Sequence, residues 1–139
     1  MNLTENKIFI DIDLENKNEI MNFVFNHFYK LNSVNDKFLN SIIKRDQEVS
    51  VAIGNYVFLP HANFDGKETV LKNDIVFISL KKIIKVDNQD IKFIIALAIK
   101  DEKHLEILQN IAIAFSDIEK VESLIKKNIT KKDIIDFLN

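Results

Sequence analysis

The run Phe93-Ile94-Ile95-Ala96-Leu97-Ala98-Ile99 is apolar at seven consecutive positions, and so on both faces of any strand it forms. A central strand covered by helices on both sides reads this way, because each face must be shielded from water. The run is far shorter than the roughly 18 residues needed to cross a bilayer, so no direct membrane insertion is expected. It points to a layered α/β domain.

The flanking segments supply the layers. Ile8, Ile10 and Ile12 alternate with Phe9, Asp11 and Asp13, which predicts a first strand ending near Asp13. From Lys17 to about Leu31, Ile20, Val24, Phe28 and Leu31 recur at helical spacing, and Phe23 and Phe25 widen the buried stripe. Phe38, Leu39, Ile42 and Ile43 predict a second helix, capped by Ser33 or Asn35 and fading near Arg45. Tyr56 to Leu59 reads as a short strand stopped by Pro60, which has no N–H to give to a ladder. His61 follows at once, at the mouth of a loop that reaches Val70. Ile75 to Leu80 is a third strand, and Asp87-Asn88-Gln89-Asp90 is the turn before the central one.

A helix is expected from a cap at Asp101 to about Phe115. Eight of its eleven positions from Leu105 to Phe115 are apolar, so it should be nearly engulfed. Ser116 or Asp117 caps the next helix, which carries Ile118, Val121, Leu124 and Ile125. Thr130 and Asp133 resemble a capping box ahead of Ile134, Ile135, Phe137 and Leu138. The expected order is β-α-α-β-β-β-α-α-α. No repeat or Pro/Gly-rich linker divides residues 1–139, so a single domain is expected.

Composition narrows the function. Nineteen Lys plus Arg against 21 Asp plus Glu leave a net charge of −2, which argues against a dedicated nucleic-acid binder. The polar stretch Met1 to Lys7 shows no signal peptide, so a cytoplasmic, stand-alone subunit is expected. Without cysteine there is no zinc-finger spacing, redox motif or thiol nucleophile. With Gly54 and Gly66 the only glycines, the dinucleotide and P-loop fingerprints are missing too. Ile, Lys and Asn fill 23, 18 and 16 positions, a bias consistent with AT-rich codon pressure. Under that pressure Lys replaces Arg wherever a point charge is enough, so the lone Arg45 is a candidate for a role needing a planar, forked guanidinium.

Three histidines remain. His27 lies between Phe25 and Phe28 on the first helix and reads as structural. His61 would be held by the strand before it yet remain reachable. His104 falls in the first turn of the helix after the central strand, where the helix dipole favours a neutral ring and backbone N–H groups can meet an anion. These parts fit transfer of a phosphoryl group onto His61, whose neutral imidazole needs no dedicated base. Such a transfer rests on positioning and charge stabilisation, which Arg45, His104 and helix-end amides can supply without a metal or cofactor.

Arg45-Asp46, Ser50 to Gly54, Val57-Phe58-Leu59-Pro60-His61-Ala62, the strand Phe93 to Ile99 and Lys100 to Leu108 together resemble the enzyme IIA of the bacterial sugar phosphotransferase system, fructose–mannitol class. The resemblance covers nearly the whole chain. It implies a mixed β-sheet flanked by helices on both faces, in a protein whose His61 accepts a phosphoryl group from the phosphocarrier protein HPr and passes it to a cysteine of an enzyme IIB. By the same resemblance Nε2 of His61 is the phosphorylated atom, its other ring nitrogen is held by a backbone group, and His104 and Arg45 match the auxiliary donor and the phosphoryl clamp. It implies an acidic and apolar docking rim near His61, to which Asp65 and Glu68 are assigned. The chain departs from the family pattern at Phe58, Ala62 and Ala96, where small residues or glycine are usual. A second function fits the same site: a regulatory, nitrogen-type IIA in which phosphorylation of His61 switches a protein contact.

Overall fold

The computed structural model describes residues 3–101 and 105–139. Five strands form one mixed sheet: β1 (Ile8–Ile12), β2 (Ala52–Gly54), β3 (Val57–Phe58), β4 (Asp74–Val86) and β5 (Gln89–Ala98), in the spatial order β1-β4-β5-β3-β2. β1 runs parallel to β4 and β3 parallel to β5, while the β4–β5 and β2–β3 pairs are antiparallel. The apolar run belongs to β5, the middle strand, as its two-faced hydrophobicity requires.

The strand period of two then divides the core. Val76, Ile78 and Leu80 of β4 with Ile94, Ala96 and Ala98 of β5 face α1 (Lys17–Lys30) and α2 (Phe38–Glu48), meeting Ile20, Val24, Phe28 and Ile42. Ile75 and Phe77 with Phe93, Ile95 and Leu97 face the opposite layer. That layer is α3 (Leu105–Ala114), α4 (Ile118–Ile125) and α5 (Lys131–Leu138), which bury Ile111, Val121, Leu124 and Ile134. Phe115 completes it, its ring 5.7 Å from that of Phe93 and 4.9 Å from that of Phe137. Each such side chain, fully buried, contributes about 1.5–3 kcal/mol.

The structure departs from the sequence pattern at five elements: β2, β4, β5, α2 and α3. β2 has no counterpart in that pattern: Ala52 to Gly54 is too short to show a period. β4 continues to Val86 through a register shift between Ser79 and Ile84, which lets the exposed Lys81, Lys82 and Ile83 interrupt the alternation. Only Asp87 and Asn88, at φ 51° and 64°, form the turn, and Gln89 and Asp90 already pair with Val86 and Lys85. α2 runs three residues past Arg45. Ser33 does not cap it but donates to Asp74 (2.8 Å), while Asn35 Oδ1 accepts from Lys37 N (2.9 Å) ahead of the helix.

α3 is not engulfed. Ile113 is 72% exposed, and of the positions after Leu105 only Ile111 and, just beyond the helix, Phe115 are buried. A single face meets the sheet, so the remaining apolar positions lie open or half-open. Its expected start at Asp101 falls on the edge of residues 102–104, outside the described residues. Asp117 caps α4 by accepting from Glu119 N and Lys120 N, and the Thr130–Asp133 capping box opens α5. No helix among the described residues is long and apolar enough to cross a membrane.

Candidate functional site

The site is built where β3 ends. Gly54, Asn55 and Tyr56 all have positive φ (95°, 50° and 71°), a conformation that costs a bulky tyrosine about 1–3 kcal/mol. The turn is over-determined from outside: Asn55 Nδ2 donates to Phe115 O (2.7 Å), and Tyr56 O accepts from Lys92 N (3.0 Å) and Phe93 N (2.9 Å). β3 therefore leaves the turn in fixed register with β5. Leu59 N donates to Val51 O (2.9 Å) and Leu97 N to Pro60 O (3.0 Å), so the backbone is anchored on both sides up to the residue before His61.

His61 Nδ1 lies 2.7 Å from Leu59 O. A carbonyl only accepts, so Nδ1 carries the proton, and the lone pair of the neutral ring is at Nε2. Burial pushes the His61 pKa below its ordinary value, and the positive charge of Arg45 pushes the same way, while the Leu59 bond and Glu48 oppose them. The shift favours the neutral ring. Ala62 is absent from the positive-φ residues, so alanine in place of the usual glycine is unstrained there. Phe58 and Ala96 are fully buried in the layer under α1 and α2, where the larger side chains add to the packing.

Arg45 stands in the last turn of α2, and its Nη1 donates to Val49 O (2.9 Å). The sequence reading of a helix C-terminal arginine thus corresponds to a guanidinium held by the backbone and near enough to His61 for its charge to act on the ring. His104 lies outside the described residues. His27 sits elsewhere, half-buried, its ring 5.2 Å from Phe9 and 5.7 Å from Phe28.

A cleft of about 580 Å³ opens beside His61, with Leu59, Ala62, Leu97, Ile99 and Leu108 as apolar walls and Asn63, Lys67, Lys100 and Asp101 as polar ones. The loop on its rim is pinned by residues that sequence reasoning missed. Ser41 Oγ donates to Asn63 Oδ1 (2.9 Å) and accepts from Asn63 N (3.1 Å), and Gly66 packs so closely that an added Cβ would overlap Ser41 Oγ. The scarcity of glycine was the available signal for this clamp. Asp65 and Glu68, in the 3-10 turn Phe64–Thr69, are exposed on the same loop.

The model of the family "Phosphoenolpyruvate-dependent sugar phosphotransferase system, EIIA 2" matches residues 1–139. The chain belongs to that family. Among relatives of this IIA family, the mannitol-specific phosphotransferase enzyme IIA component of Mycoplasma pneumoniae is 48% identical over 139 residues, 99% of this chain and 97% of its own. The crystal structure of mannitol IIA from Escherichia coli superposes with a TM-score of 0.84 over 100% of both chains, at 18% identity. The same score is found, over 99% of this chain and 96% of the other, at 18% identity, for IIA in the complex of mannitol IIA with phosphorylated mannitol IIB from Escherichia coli. The mixed sheet with helices on both faces is the fold of these IIA structures, and the chain is a component of a sugar phosphotransferase system.

Proposed function

We propose that this IIA is a histidine phosphocarrier: Nε2 of His61 attacks the phosphoryl group of phospho-HPr and later yields it to a cysteine of an enzyme IIB. The P–N bond to HPr breaks as the P–Nε2 bond forms, and the thiolate of IIB then displaces His61. The observation that carries the reading is the 2.7 Å bond from Nδ1 to Leu59 O, which leaves the lone pair at Nε2. As Nε2 bonds to phosphorus the ring gains positive character, and the Leu59 carbonyl stabilises it. Arg45 is the phosphoryl clamp, its fork suited to equatorial oxygens. His104, assigned on the motif alone, is the auxiliary donor.

The name of the Mycoplasma pneumoniae relative supports mannitol as the sugar served and favours transport over the regulatory role. The Escherichia coli complex supports IIB as the acceptor. Incubation with phosphoenolpyruvate, enzyme I and HPr is expected to add one phosphoryl group, acid-labile and base-stable, and His61→Ala to abolish it. A fully phosphorylated His61→Ala protein overturns the assignment. Discharge of the charged protein by a mannitol IIB, measured by phosphate transfer to that subunit, separates transport from regulation.

A further inference from the structure

The phosphoryl clamp and the nucleophile share one backbone anchor, the segment from Val49 to Val51. Arg45 Nη1 donates to Val49 O (2.9 Å). Two residues on, Val51 O accepts from Leu59 N (2.9 Å), and the carbonyl of that same Leu59 accepts from His61 Nδ1 (2.7 Å). One residue, Leu59, thus separates the segment from the nucleophile, and one hydrogen bond separates it from the clamp. The segment itself is short and follows the exposed Gln47 and Glu48, so something must fix it.

Asp46 does this. Its carboxylate is 6% exposed and spans two elements: Oδ1 accepts from Val51 N (3.0 Å) and Oδ2 accepts from Lys17 Nζ (2.7 Å). Lys17 opens α1 and is paired in turn with Asp87 at the tip of the β4–β5 turn (2.7 Å), so the carboxylate is referenced to three elements of the scaffold. Nearly buried and twice hydrogen-bonded, it cannot shift without leaving a donor or a charge unpaired.

Building on the phosphocarrier reading above, we infer that Asp46 is the positioning residue of the phosphoryl-transfer site: through Val51 N and Lys17 it sets the distance between the Arg45 guanidinium and Nε2 of His61. It touches no phosphoryl group. It acts by holding both partners to one strap, so its loss lowers the turnover of bound donor rather than the affinity for it. A misplacement on the order of 1 Å in such a site costs up to about a hundredfold in rate.

The test uses the full chain with phosphoenolpyruvate, enzyme I and HPr. In Asp46→Ala, kcat for phosphoryl uptake is expected to fall by about ten- to a hundredfold with KM for HPr within about twofold of the parent. Asp46→Asn, which keeps an acceptor for Val51 N, is expected to recover part of the loss. The ¹⁵N spectrum of the His61 ring supplies a readout that lowered stability alone would not move: the Nδ1–H tautomer, held in the parent, becomes a mixture in Asp46→Ala. Unchanged kcat and an unchanged tautomer in folded Asp46→Ala overturn the inference. If Asp46→Ala does not fold, Asp46→Asn decides: a kcat lowered at least about threefold supports the inference and an unchanged one overturns it. Phosphorylation of His61→Ala in parallel would instead defeat the phosphocarrier reading.

Discussion

In the proposed transfer Arg45 serves in two separable ways, as a charge on His61 and as a fork for the phosphoryl group. The charge joins burial in keeping the ring's pKa below its ordinary value. Arg45→Gln is therefore expected to raise the His61 pKa, and Arg45→Lys to leave it lowered, both read from an NMR titration of the ring. The fork is lost in both variants, so phosphoryl uptake at pH 7.5 should fall roughly a hundredfold in either, as when a transition-state donor is removed. An unchanged rate in Arg45→Lys would show that a point charge is sufficient. At this scale the sequence was legible in unequal parts. Scarcity singled out Arg45 and Pro60 placed His61 at a strand end, but the groups that aim them are backbone carbonyls, Val49 O for Arg45 and Leu59 O for His61, tied together by the Leu59 N–Val51 O bond, which no side-chain pattern records. Asp46 was visible only as the acid after Arg45, since its partners Lys17 and Val51 N come together through tertiary folding.

The two glycines belong to two elements and serve opposite needs. Gly54 has φ 95°, and a Cβ added there would meet nothing within 4 Å, so its role in the β2–β3 turn is conformational. Gly66 lies outside the left-handed region, but a Cβ there would strike Ser41 Oγ and Asn63 Oδ1, so its role is close approach. Gly54→Ala should cost about 1–2 kcal/mol through the backbone alone. Gly66→Ala should cost about 1–3 kcal/mol through displaced side chains, and should also change the amide shifts of Ser41 and Asn63, which Gly54→Ala leaves in place. Urea midpoints and amide spectra check both. α3 teaches the limit of pattern reading at the element scale. Its apolar excess includes Ile113, a residue of the most abundant type in the chain, on a face that meets solvent. Ile113→Lys should therefore change stability by no more than about 0.5 kcal/mol, while Phe115→Ala, which removes the ring packed on Phe77, Phe93 and Phe137, should cost about 3–5 kcal/mol.

The whole molecule is one sheet between two helical layers, and its response to acid follows from which groups that arrangement shields. Burial lowers the pKa of both His27 and His61, so the unfolded chain takes up their protons first. Stability is then highest above about 6.5 and is lost as pH falls from there through the folded values of the two rings. A second loss follows lower down. Burial alone would raise the Asp74 pKa, but its bonds to Ser33, Lys7 and Ile75 N outweigh this, and the bonds from Lys17 and Ser50 lower that of Asp87. Carboxylates with depressed folded values contribute stability above about 3.8 that disappears as pH falls through those values. Urea midpoints measured from pH 8 to pH 2.5 should thus decline in two steps, one beginning near 6.5 and one near 3.8. Asp74→Asn keeps the shape at the start of β4 and removes one titrating group, so it should lower the midpoint at pH 7 and shrink the lower step, while the upper one grows because the Asp74 charge no longer holds the His27 pKa up. A single decline confined below pH 4 would mean that the two histidines are as easily protonated folded as unfolded, which the burial of both rings and the Arg45 charge acting on His61 argue against.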